Sequence, residues 1–293
     1  MLLRDFIRES SSSLSKAYPP KEAQAIVLRL CQDVLGVKSY THVVEPSYEI
    51  LSESLPILER SMDRLLGGEP LQYVLGRAEF CGHVFTVTPD VLIPRPETEI
   101  LVERAVAHIG KMNRNGIRVL DLCSGSGCIA WSVALACPGV KAVAVDISDK
   151  ALKVASSQKF NRTETEGKFI PPEFVEADIL GDVPFGKDDK FDVILSNPPY
   201  IRNSEKPLMD RNVLDYEPSE ALFVSDEDPT VFYRAIARWS AILMKEGGLG
   251  ISEINQELGD ATADEFRSCF ESVSILSDLS GRDRFVEYCG LLK

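Results

Sequence analysis

Apolar residues in the first eighty positions recur at intervals of three and four, the spacing of one helix face. Over residues 22–35 they are Ile26, Val27, Leu30, Cys31, Val34 and Leu35, and Gly36 supplies the stop. A second helix starts with Ser52 as N-cap, which puts Pro56 in a tolerated first turn. It aligns Leu58, Met62, Leu65 and Leu66 ahead of Gly67-Gly68. The polar run at residues 10–13 reads as a turn. Over residues 80–93 the period changes to alternating β-branched and aromatic positions, so two short strands are expected. Pro94-Arg95-Pro96 closes them, and this proline spacing stiffens a connector and holds Arg95 extended.

Beyond the connector, strand and helix patterns alternate. Helices are expected over 97–109, 128–136, 148–160, 229–245 and 256–270. Strands are expected over 117–122, 141–147, 174–177, 191–196, 248–254, 273–277 and 284–291. Such alternation specifies a doubly wound α/β sheet with helices on both faces. The expected organisation is a small all-helical domain over 1–76, a β-hairpin and proline-rich connector over 77–96, and an α/β domain over 97–293.

Composition narrows the class. Apolar residues make up 44% of the 293 and charged residues 26%, a balance that buries a core. No run approaches the ~18 apolar residues of a membrane span, and Asp5 and Glu9 stand where a secretory signal needs an apolar core. Seven cysteines, odd in number and without a C-x-x-C pair, fit reduced thiols in a cytoplasmic protein. Three histidines, with no second ligand pair to follow Cys81 and His83, argue against a zinc site. The net charge is −13, of which residues 1–96 carry −2 and residues 97–293 carry −11. An acidic α/β domain has no general attraction for phosphate backbones, so a protein or small-molecule substrate is favoured over nucleic acid.

Two constellations carry chemistry. In the first, Val119-Leu120-Asp121-Leu122 runs into Cys123-Ser124-Gly125-Ser126-Gly127, and Asp146 ends the next strand. Small residues let backbone approach a ligand, and the following helix presents free N–H groups. An acid at the second strand's tip can accept both ribose hydroxyls. The plainer alternative, a tight turn in an ordinary βα unit, leaves the two flanking acids unexplained. Asp121 repels a pyrophosphate and attracts an ammonium group, which favours S-adenosylmethionine over a dinucleotide. Asp178 is a candidate acceptor for the adenine amino group or, with comparable weight, a surface helix cap.

In the second, an apolar strand leads into Asn197-Pro198-Pro199-Tyr200. The prolines fix the backbone, so Asn197 Oδ1 and the Pro198 carbonyl form two acceptors at a set spacing. That pair suits a planar NH2 group, orients its nitrogen toward a sulfonium methyl and stabilises the charge that develops. Tyr200 supplies a flat wall. A proline-rich turn with an Asn cap is the bland competitor, and its position after the nucleoside loop weighs against it. Asn197→Asp keeps an acceptor of similar size and is expected to retain activity.

With these motifs in place, the chain resembles the bacterial peptide chain release factor glutamine methyltransferases (HemK/PrmC family) over nearly its whole length. The resemblance rests on Gly68-Glu69-Pro70 with Tyr73 and Gly76, and on Leu92-Ile93-Pro94-Arg95-Pro96-Glu97-Thr98-Glu99. It continues through Asp121 to Gly127, Asp146, Asn197 to Tyr200, and Tyr216-Glu217-Pro218 with Ala221-Leu222. It implies a class I S-adenosylmethionine-dependent methyltransferase fold, Rossmann-like with a doubly wound seven-stranded sheet. It further implies methylation of the N5 amide nitrogen of the glutamine in the GGQ loop of class 1 release factors, with S-adenosyl-L-homocysteine as product. Asp121, Cys123, Ser124, Gly125, Ser126, Gly127, Asp146, Asp178, Ile179 and Asn197 would contact the cofactor. Asn197, Pro198, Pro199 and Tyr200 would receive the glutamine, with Asn197, Pro198 and Tyr200 at the catalytic centre. The helical domain would help hold the substrate protein. An adenine-N6 nucleic-acid methyltransferase and a ribosomal-protein glutamine methyltransferase share the tetrapeptide chemistry and are the alternatives. Two positions depart from the family pattern. Cys123 replaces a glycine, which requires a negative φ there, and Ile179 replaces an adenine-stacking aromatic.

Overall fold

The computed structural model describes residues 1–112, 115–160, 169–278 and 280–292. Two compact units emerge, one of Met1–Arg77 with Asp210–Tyr216, the other of Ala78–Met209 with Glu217–Lys293.

The first unit begins with α1 (Leu3–Leu14), α2 (Pro20–Leu35), α3 (Thr41–Val44), α4 (Leu55–Leu66) and α5 (Leu71–Leu75). The apolar faces of α1, α2, α4 and α5 share one core, with Leu3, Phe6, Leu14, Val27, Leu30, Leu58 and Leu65 buried. Residues 10–13 lie inside α1, not in a turn. Phe6, Ile7 and Leu14 bury one face of that helix, and Ser13 Oγ donates to the Glu9 carbonyl at 3.0 Å, so packing overrides the serines' turn preference. Gly36 ends α2 at φ +68°. The residue before α4 is Ser54, not Ser52, and its side chain makes no capping bond; Pro56 sits in the first turn.

The hairpin is β1 (Arg77–Phe80) and β2 (His83–Thr86). β1 starts ahead of the expected 80–93 and β2 lies in the first half of that stretch, because Cys81 and Gly82, at φ +48° and +72°, make the two-residue turn. Val87, Val91 and Ile93 of that run are buried without strand pairing. The Gln158 side chain replaces a strand partner there, accepting from Thr86 N and donating to Thr86 O, each at 2.9 Å.

The α/β unit continues with α6 (Glu99–Lys111), β3 (Arg118–Leu122), α7 (Cys128–Ala136), β4 (Lys141–Asp146), α8 (Asp149–Ser157), β5 (Glu173–Glu176), β6 (Phe191–Ser196) and β7 (Ile201–Arg202). The short α9 (Arg211–Tyr216) groups with the helical unit. Then come β8 (Phe223–Val224), α10 (Val231–Leu243), β9 (Met244–Glu253), α11 (Gly259–Arg267), β10 (Phe270–Ser277) and β11 (Asp283–Leu291). Seven strands form one sheet in the order β10-β11-β9-β6-β3-β4-β5, with β11 antiparallel to both neighbours and the remaining pairs parallel.

Alternate residues of the central strands feed opposite faces. Leu120, Leu122 and Ile194 join Tyr233, Ile236 and Trp239 of α10 and Phe266 of α11. Val119, Val193 and Leu195 join Leu101 and Ala105 of α6 and Ile129 and Val133 of α7. This is the doubly wound fold that the alternation specifies. The last helix is shorter than expected because Asn255 caps Glu257 N at 2.9 Å in a preceding 3-10 turn, while Phe270 already pairs with Leu291. Gly250 is required in β9, since a Cβ there would lie 2.0 Å from the Tyr288 ring.

Candidate active site

The carboxyl ends of β3, β4 and β6 open onto a cavity of about 350 Å³. Of the residues singled out from the sequence, Cys123, Ser124, Gly125, Ser126, Asp146, Asp178, Ile179, Asn197 and Pro199 line it. Asp121, Gly127, Pro198 and Tyr200 do not. The connector adds Pro94 and Arg95, and the 3-10 turn Pro96–Thr98 that follows adds Thr98. Asp90, Asp146, Asp178 and Glu220 against Arg95 give the largely apolar lining an excess of acidic side chains, which suits a cationic ligand.

The loop after β3 is held by backbone bonds: Ser124 N donates to Val145 O at 3.0 Å and Gly127 N to Ser124 O at 2.8 Å. Asp146 completes the clamp, accepting Gly125 N at 2.7 Å and Ser148 N at 2.9 Å, one on each oxygen. Burial raises its carboxyl above the ordinary range, and those two N–H groups oppose the rise. Each oxygen keeps a lone pair for a further donor.

Gly125 and Gly127 serve different ends. A Cβ at Gly125 meets no protein atom within 4 Å, whereas at Gly127 it would press on Ala155, Phe174 and Trp131 at 3.0–3.2 Å. Gly127 therefore brings α7 close to α8 and β5. Cys123 has φ +61°, not the negative value expected. The backbone turn that brings the loop back over β3 needs left-handed geometry, so the thiol side chain occupies a glycine-type conformation. Burial, then Asp146 and Asp121, push that thiol's pKa up.

Asp121 lies beneath the loop and is fully buried. Its Oδ2 accepts Ala130 N at 3.1 Å, while Oδ1 is without a partner among the described residues, as is the buried Ser124 Oγ. Burial pushes its carboxyl up to about 8, opposed by the Ala130 N–H and reinforced by Asp146. Unpartnered buried polar atoms beside a cavity of net negative charge leave room for a cationic ligand with polar arms. The residues present thus fit S-adenosylmethionine. Asp178 Oδ1 accepts Leu180 N at 2.8 Å in a local turn, and Ile179 is buried against the α10 side of the core.

Asn197 lies just past the end of β6, and its Nδ2 donates to Thr98 Oγ1 at 3.1 Å. Thr98 Oγ1 in turn donates to Glu253 Oε2 at 2.6 Å, and the Tyr200 phenol donates to Glu253 Oε1 at 3.0 Å. Thr98 and Glu253 are 2% and 1% exposed, which makes this an interior chain. Burial raises the Glu253 carboxyl, opposed by the Thr98 and Tyr200 hydroxyls and by Arg284. Tyr200 is drawn into this chain and onto the α10 side of the core, so its ring is not a cavity wall. Glu217 holds the connector, accepting Arg95 at 2.6 Å and Ile93 N at 3.2 Å.

The residue-by-residue reading missed Glu253 and gave Thr98 no role beyond a shared motif. An acid at the carboxyl end of an apolar strand, the signal that marked Asp121 and Asp146, also marks Glu253.

Residues 97–214 match the family model for the methyltransferase small domain. A solved T. thermophilus 16S rRNA N2 G1207 methyltransferase, in complex with AdoMet and guanosine, shares the fold at TM-score 0.50 and 17% identity. That match covers 73% of this chain and 49% of that one. The release factor glutamine methyltransferase of Flavobacterium psychrophilum is 35% identical over 289 residues, 98% of this chain and 99% of that protein. The one from Bacteroides thetaiotaomicron is 39% identical over 282 residues, 96% of each chain. Identity at that level over nearly the whole of each protein makes this chain a member of the release factor glutamine methyltransferase family.

Proposed function

We propose that this chain transfers a methyl group from S-adenosylmethionine to the side-chain N5 amide of the GGQ-loop glutamine in class 1 release factors, acting in the cytoplasm in support of translation termination. The observation that carries the reading is the meeting of Asn197 and Pro199 with the glycine loop and Asp146 around one acidic cavity.

The bound cofactor supplies an electrophilic sulfonium methyl. Asp146 presents its remaining lone pairs to the ribose, and Cys123–Gly127 presents backbone to the methionine moiety. The Ser124 hydroxyl would meet a polar arm, and Asp121 supports the site from beneath through the Ala130 N–H at the start of α7. Asn197 Oδ1 and the Pro198 carbonyl accept the two protons of the glutamine NH2, which aims the nitrogen at the methyl and stabilises the positive charge that grows on it. The amide nitrogen is nearly non-basic, so its proton leaves after transfer and a strong base is not required. Positioning and electrostatics are the enzyme's contribution.

The helical unit is assigned to docking of the release factor. Tyr40, Val43, Val44 and Leu51 there are more than half exposed, apolar surface that a protein partner would cover. Among the described residues no helix is long and apolar enough to cross a membrane. The test is incubation with labelled S-adenosylmethionine and, separately, release factor, ribosomal protein and duplex DNA. Label is expected in release factor alone. Label in DNA but not in release factor would replace the reading with the adenine-N6 alternative.

A further inference from the structure

We infer that Glu253, which does not line the cavity, is a positioning residue: through the Thr98 hydroxyl it fixes which end of the Asn197 amide faces the substrate. This rests on the methyl-transfer reading above and adds to it the group that sets the polarity of the acceptor.

A side-chain amide has two orientations of nearly equal shape, and only the hydrogen-bond partners choose between them. Thr98 has one hydroxyl proton. At 2.6 Å from Glu253 Oε2, a charge-assisted length, that proton belongs to the carboxylate. What the Thr98 oxygen has left is a lone pair, and a lone pair can only accept. Asn197 must therefore turn its N–H toward Thr98, as observed at 3.1 Å, which sends Oδ1 the other way. The flipped amide would set two oxygen lone pairs against each other.

Glu253 is itself committed as an acceptor, because Tyr200 aims a second hydroxyl at its other oxygen at 3.0 Å. Two donors converge on one carboxyl, and the Tyr233 phenol donates at 3.1 Å to the backbone carbonyl of the same residue, which pins its main chain. Direction thus runs one way, from Asn197 through Thr98 to Glu253. An interior chain with a single polarity costs less to hold in the transition state than one that must reorient.

The experiment uses the full-length enzyme and release factor with Glu253→Gln, Thr98→Val, Thr98→Ser and Asn197→Ala. Glutamine at 253 offers a donor as well as an acceptor, so it no longer dictates direction. Glu253→Gln and Thr98→Val are each expected to lower kcat by roughly tenfold or more with KM for release factor within about twofold. Thr98→Ser keeps the hydroxyl and retains most of the rate. In an Asn197→Ala background, Glu253→Gln should cost less than about twofold further, because its effect passes through Asn197. A wild-type kcat for Glu253→Gln, or an undiminished cost in the Asn197→Ala background, would overturn the inference.

A second readout needs no substrate. The Asn197 Nδ2 protons, assigned by their loss in Asn197→Ala, should be protected from exchange in wild type and Thr98→Ser and unprotected in Thr98→Val and Glu253→Gln. Equal protection in all four would overturn the relay. A wild-type enzyme inactive on release factor would refute the functional reading instead, and the exchange data would still decide the relay.

Discussion

Asp146 Oδ2 accepts the Gly125 N–H at 2.7 Å, so the acid assigned to the ribose also holds the apex of the glycine loop. One side chain links two segments that line the cavity. Asp146→Ala therefore removes a ribose acceptor and a loop tether together. Hydrogen bonds to a charged group are worth ~1.5–3 kcal/mol, so affinity for S-adenosylmethionine should fall by about 10- to 100-fold. Titration calorimetry checks this, and unchanged binding would remove Asp146 from the site.

Asp121 makes stability depend on pH. Its carboxyl is raised to about 8 by burial, against 3.8 for an ordinary aspartate. Between those values the unfolded chain is ionised while the folded chain holds its proton. The unfolded state then binds fewer protons, and stability falls as pH rises, by up to ~1.4 kcal/mol per pH unit. Below the lower value and above the upper one the contribution is flat. Denaturant unfolding of the cofactor-free enzyme between about pH 5 and 7.5 should show this loss, and Asp121→Asn should remove it. Parallel curves for the two proteins would exclude the titration.

The left-handed backbone of Cys123 can be isolated by comparing two substitutions. Alanine and glycine both remove the thiol, but only glycine is at ease at φ +61°. Cys123→Gly is expected to be more stable than Cys123→Ala by about 1 kcal/mol, the strain of a Cβ in that region less the entropy glycine gains when unfolded. Chemical denaturation of the pair measures it. The reverse order would mean that the loop rearranges.

Asn197→Ala removes one preorganised acceptor and should lower single-turnover methyl transfer by about 10²–10³. For Asn197→Asp the structure reverses the expectation drawn from sequence. Aspartate has no N–H for Thr98, and it would bring a second carboxylate against a hydroxyl already committed to Glu253. It is expected to be nearly as inactive as alanine at neutral pH. A rate within about twofold of wild type for the alanine variant, far from the expected range, would move the catalytic centre elsewhere.

Deleting residues 1–77 tests the docking role. The α/β unit keeps both of its cores and the whole cavity lining, so cofactor binding should persist while transfer to intact release factor is lost. Full-rate methylation by the truncated chain would refute the assignment.

The sequence alone was enough for the doubly wound sheet, because strands buried on both faces read as short apolar runs and each helix carries its own period. It also marked residues that line the cavity at the strand ends, Cys123 to Ser126, Asp146, Asn197 and Pro199, since each follows or ends a strand directly. Those are local signals. Helix and strand limits shifted where a distant partner intervened, as when Gln158 took the place of a strand beside Thr86 or the packing of Phe6 and Leu14 carried α1 through its serines. Which glycine faces the cavity and which faces α8 depended on neighbours far along the chain. So did the retreat of Asp121 beneath the loop and the left-handed turn at Cys123. The relay from Asn197 to Glu253 joins residues 99 and 155 positions apart at its two hydrogen bonds. Periodicity reports which face of an element is buried; only the assembled sheet decides which side chains then meet in a hydrogen bond.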